Sequence, residues 1–124
     1  MTAHNDLLQR TRAFAKSVVV FRRSLPRTFE SFRFGGQLID AASSVAANYR
    51  AAKRARSTRE FVARLGIVEE EADEAGFWLE FLVDIGDAPP VAAAPLIREA
   101  DELTRIFVRS QQTARTRVAQ PRSK

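Results

Sequence analysis

Apolar residues recur at alternating steps of four and three along most of the chain, which is the spacing of one helical face. Leu7, Thr11, Phe14, Val18, Phe21 and Leu25 form the first such face. Pro26 ends it, because proline lacks the amide donor and disfavours helix in the residue before it. Arg27–Phe34 then reads as a connector whose Phe29, Phe32 and Phe34 fold back onto the core, and Gly35-Gly36 turns the chain into a second helix. That helix extends from about Gly36 to Arg54, with Leu38, Ala42, Val45, Tyr49 and Ala52 on one face. Ala41, Ser43, Ser44, Ala46 and Ala47 keep its other faces thin, so a neighbour can approach closely.

Ser57 followed by Glu60 is a capping-box pattern that starts a third helix, from about Thr58 to Ile85. Phe61, Leu65, Val68, Ala72, Ala75, Leu79 and Leu82 make its seam. A second apolar stripe runs through Ile67, Trp78, Phe81 and Ile85. A helix in a lone bundle needs one buried face, so these four residues are the expected subunit interface, the alternative being a wider core face under the Phe-rich connector. Gly86-Asp87-Ala88-Pro89-Pro90 stops the helix and turns the chain. A fourth helix, from about Val91 to Gln112, buries Leu96, Ala100, Leu103 and Phe107. Period-two alternation is absent, and the short connections place successive helices antiparallel. The expected fold is all-α, an up-down-up-down four-helix bundle over residues 1–112, followed by a basic disordered tail at 113–124.

Charge changes this picture at one corner. The net charge is +5 with an isoelectric point near 10.7, which favours polyanionic partners. Arg50, Lys53, Arg54, Arg56 and Arg59 crowd the junction of the second and third helices, and Arg115 and Arg117 add to them from the tail. The third helix carries the opposite charge in Glu69-Glu70-Glu71-Ala72-Asp73-Glu74. Two readings follow. In one, the seven cations bind the phosphates of RNA or DNA. In the other they pair internally with the acidic block, Arg50 with Glu70 for example, and the protein is an interaction or scaffold module. Asn48 and Tyr49 read as capping and packing residues rather than base readers.

Catalysis finds few residues to work with. The chain has no cysteine, which removes disulfides, thiolate chemistry and zinc–thiolate sites and fits a reducing cytoplasm. The single His, His4, sits in an N-terminus expected to fray. The Glu-x-x-His pairs of a di-metal bundle and a phosphate-binding glycine loop are missing. Glu69, Glu70, Asp73, Glu74 and Glu80 admit a carboxylate Mg²⁺ site, but such a run is more often a solvated face. The expectation is a protein without enzymatic activity, metal or cofactor. Neither a signal peptide nor an apolar run near the ~20 residues of a membrane span is evident, so a soluble protein without membrane contact is expected.

The corner also carries a family pattern. Gln37 leads the second helix, Ser44-Val45 precedes Asn48-Tyr49, and Arg54, Arg56 and Ser57 run into Glu60-Phe61. Leu65, Glu69, Glu70 and Leu79 continue into the long helix. From about Leu25 to Ile85 the chain resembles the bacterial four-helix-bundle proteins named after 23S rRNA intervening sequences. Their motif has Glu-Gly where this chain has Ala51-Ala52; loss of the glycine stop lengthens the helix, and loss of the Glu makes the corner more basic. The resemblance implies a bundle that assembles into a homopentameric ring and brings no catalytic residues. A related branch resembles the accessory subunit of diversity-generating retroelements, which implies nucleic acid and a reverse transcriptase as partners.

Overall fold

The computed structural model describes the backbone of residues 3–119 and the side chains of residues 7–117. His4, Arg122 and Lys124 lie outside the described side chains. Four helices follow one another: α1 (Ala3–Arg23), α2 (Phe29–Lys53), α3 (Thr58–Asp84) and α4 (Pro90–Ala119). Each packs on its sequence neighbour, and α4 closes back on α1, as in an antiparallel up-down-up-down bundle. The α3 contacts with α2 and α4 are the most extensive, and those between α1 and α4 the slightest.

The core follows the periodicity closely. Val18, Leu38, Val45, Leu65, Val68, Leu79, Leu82, Leu103 and Phe107 are fully buried. Phe107 of α4 reaches Tyr49 of α2 across the bundle, with ring centroids 5.3 Å apart. The α3 stop is a Schellman motif: the Gly86 N–H donates to the Val83 carbonyl at 3.0 Å and the Asp87 N–H to that of Leu82 at 3.0 Å. This geometry requires the φ of +82° that Gly86 adopts. Pro90 opens α4 at a position where its missing amide costs nothing.

Two boundaries depart from expectation. The second helix starts at Phe29 rather than near Gly36, so the connector is only the short stretch from Ser24 to Thr28. Thr28 caps it, its hydroxyl accepting the Ser31 N–H at 3.1 Å, and Glu30 complements the helix dipole in the first turn. Phe29 and Phe32 consequently face solvent, and only Phe34 folds onto the core. Gly35 and Gly36 are helical; a Cβ on Gly35 would overlap the Arg22 side chain, so this glycine serves close packing and not a turn. The fourth helix continues through Ala119, so residues 113–119 are helical rather than a disordered tail. Buried Ala114, which lines one groove with Ala52, Ala55 and Phe61, gives that extension a surface to pack against.

One charged clamp bridges the α1–α4 seam. The Arg10 guanidinium donates to both Glu99 carboxylate oxygens at 2.8 Å and lies 2.9 Å from Glu102. Those two carboxylates raise the Arg10 pKa above its ordinary value, so the clamp stays charged at every physiological pH. Arg10→Ala leaves Glu99 half-buried without its partner in the thinnest seam of the bundle. The expected loss is about 1–2 kcal/mol, read by urea unfolding; an unchanged midpoint would show α1 held by apolar contacts alone.

Candidate functional site: the basic end of the bundle

The α2–α3 junction forms where the end of α2 is closed by a backbone N–H and the start of α3 is capped by a side chain. The Arg54 N–H closes the last turn of α2 on the Ala51 carbonyl at 3.0 Å. Ser57 caps α3 as expected, its hydroxyl accepting the Glu60 N–H at 3.1 Å. The reciprocal half of the box is shifted by one residue, with the Glu60 carboxylate accepting the N–H of Arg56 at 3.1 Å. These bonds fix a short, tight corner from which five cationic side chains radiate.

Arg50, Lys53, Arg54, Arg56 and Arg59 are all exposed, and so are Arg115 and Arg117 of α4. Arg56 lies 3.8 Å from Glu60 with its side chain 92% exposed, a contact too long and too solvated to neutralise it. Among the described residues none of the other six is within ion-pair distance of a carboxylate. Arg115 donates instead to the Gln111 side-chain oxygen at 3.1 Å. The antiparallel topology carries the end of α4 to this same corner. One groove is lined by Lys53, Arg56, Ser57, Phe61, Ala114 and Arg117, and an adjoining one by Phe61, Arg109 and Arg117. Cations from α2, from the α2–α3 connection and from α4 therefore line the grooves beside Phe61. Arg109 escaped the sequence reading because it follows Phe107 in the expected core stretch; its spacing from Arg117, about two helical turns, is the signal that places both on one face.

The expected Arg50–Glu70 pair does not form, and helix rise explains why. At 1.5 Å per residue, Glu70 lies about two turns further from the corner than Arg50 does. The register is set by Asn48, whose side-chain oxygen accepts from Arg64 of α3 at 3.2 Å while its amide donates to the Ser44 carbonyl at 3.0 Å. Asn48 thus ties α2 to α3, as a packing and capping residue does. Tyr49 is buried, and desolvation raises its phenol pKa, so it remains a neutral core residue.

The acidic block points elsewhere. Glu69 accepts from the Gln111 side chain, and Glu74 from the Trp78 indole at 3.4 Å. Asp73 and Glu80 line a separate α3–α4 groove with Phe77 and Asp101. Among the described residues no acidic or His side chains group as metal ligands do, and no helix is long and apolar enough to cross a membrane.

The second α3 stripe divides in two. Trp78 and Phe81 are half-buried against Phe34, with ring centroids at 5.6 Å and 5.1 Å. Ile67 and Ile85, at the stripe's ends, are 40% and 38% exposed. Phe77 beside it, which the pattern did not single out, is exposed as well.

Known proteins share this architecture. A crystal structure from Bacteroides thetaiotaomicron, described as a protein of unknown function from the S23 ribosomal protein family, superposes with a TM-score of 0.82. It is 22% identical and covers 90% of this chain and 99% of its own, so the likeness is one of fold. No curated protein sequence matches. The family model for the 23S rRNA-intervening sequence protein matches residues 3–109, beyond both ends of the segment that carried the resemblance. With that span covering α1 to α3 and most of α4, the chain belongs to the 23S rRNA-intervening sequence protein family.

Proposed function

We propose that the protein is a non-enzymatic, self-assembling bundle that binds RNA or ribonucleoprotein through its basic end. The observation that carries this reading is the exposure of Lys53, Arg54 and Arg56 beside Arg117, without a carboxylate that neutralises them. Free cations fixed on rigid helix ends attract a phosphate backbone without reading its bases, so affinity comes with little sequence preference. Assembly into a ring, five-membered as the family resemblance implies, would repeat the patch and convert weak contacts into avid ones. A reverse transcriptase or other protein held beside the nucleic acid is the further partner of this reading, as the resemblance implies.

Anisotropy of a labelled single-stranded RNA, titrated at several salt concentrations, tests the reading. Log K should fall linearly with log salt, with a slope of roughly 0.7 per phosphate contact, or about −2 to −4 for this corner. Absence of binding at low salt would overturn it. Assembly is tested separately by light scattering. Ile67→Glu with Ile85→Glu should reduce the mass of the assembly while leaving helical circular dichroism unchanged. A wild-type mass of 13.9 kDa would exclude self-assembly.

A further inference from the structure

We propose that the α1–α2 corner, at the opposite end of the bundle, is a stacking platform for unpaired nucleobases that gives the protein a preference for single strands. The inference rests on the reading of the protein as a nucleic-acid binder but uses different residues. Phe29 and Phe32 are 78% and 71% exposed, more than any other aromatic side chain among the described residues. They occupy i and i+3 on the first turn of α2, which makes them surface neighbours. The Arg22 guanidinium lies over the Phe32 ring, 5.1 Å from its centroid. Arg22, Arg23 and Arg27 line one groove with Phe32, and exposed Arg33 follows it on the same helix.

Burying two phenyl rings inside a monomer would be ordinary; holding them in water among four arginines needs another explanation. Glu30 is the only carboxylate between Arg22 and Phe34, and Asp87 reaches the same turn from the α3–α4 connection to accept from the Ser31 hydroxyl. Four arginines against these two leave the corner net positive, so the occupant complementary in charge is an anion. Planar rings next to a planar cation favour a flat partner. A single strand supplies phosphates and exposed π-faces together, whereas a duplex keeps its base faces stacked. Gly35 is a positioning residue here. It leaves room for the Arg22 stem to cross α2, and a Cβ would push that side chain off the Phe32 ring.

The test uses the full-length protein and three probes of one length: a single strand, its duplex, and the same strand carrying abasic sites. Phe29→Leu with Phe32→Leu keeps apolar bulk and removes the rings. This variant should bind the intact single strand about tenfold more weakly, and the abasic strand and duplex as the parent does, with an unchanged salt slope. Gly35→Ala should lose part of the same base-dependent affinity, with helicity retained. Wild-type protein that binds intact and abasic strands equally would overturn the platform while leaving the basic-end reading intact. So would a Leu variant that binds the intact strand as tightly as wild type, which would mark the corner as an apolar surface for a second copy or a lipid. Absence of binding to any probe would overturn both readings.

Discussion

Replacing Lys53, Arg54 and Arg56 together with Ala is expected to weaken RNA binding alike on every sequence, by on the order of a hundredfold near 0.1 M salt. Each cation that neutralises a phosphate releases condensed counterions, so three lost contacts should also flatten the salt slope by about two to three units. The fold should persist, because all three side chains are exposed and the caps here use backbone groups of Arg54 and Arg56 and the Ser57 hydroxyl. The matched control removes the same charge elsewhere. Arg12, Lys16 and Arg98 are exposed on α1 and α4, and Arg12→Ala, Lys16→Ala and Arg98→Ala together change net charge equally. A control that loses as much affinity as the corner variant would show that binding follows total charge and not this site.

Phe107→Ala should be the most damaging single substitution for stability, at about 3–5 kcal/mol. The ring is fully buried and spans from α4 to Tyr49 of α2, so its removal leaves a cavity bounded by rigid helices that cannot collapse into it. A domain of this size has a total stability on the order of 5–15 kcal/mol, so the variant should approach the limit of folding. Phe29→Ala removes the same ring from an exposed position and should change stability by less than about 0.5 kcal/mol. Thermal melts of the pair separate burial from residue type. A Phe107→Ala melting temperature close to that of Phe29→Ala would refute this picture of the core.

Helix identity was readable wherever a side chain's neighbours are near in sequence. The seam from Leu65 to Leu82, the Ser57 cap and the Gly86 stop depend on backbone and side chains within a turn or two, so spacing alone exposes them. At the start of α2 two local signals compete. Gly35-Gly36 resembles a break, but the Thr28 cap and Glu30 start a helix earlier, and the glycine is needed for the Arg22 side chain that crosses it. The end of α4 departs from its local pattern for the opposite reason. Residues 113–119 have little apolar content, and their helix gains support from packing of Ala114 at the α2–α3 corner, which lies far away in sequence.

The cations of the candidate site were named from charge clustering, but their surroundings depend on how α2, α3 and α4 slide and rotate against one another. Arg50 and Glu70 are kept apart by the register that the Asn48–Arg64 contact marks. Arg109 and Arg117 join the corner only because four antiparallel helices return the chain to that end. From residue order alone come the helices, their buried faces and the basic corner, since periodicity, caps and charge density are local properties. Packing across the core settles which charges stay free, which aromatics face water and where helix ends hold, because these depend on side chains brought together from distant parts of the chain.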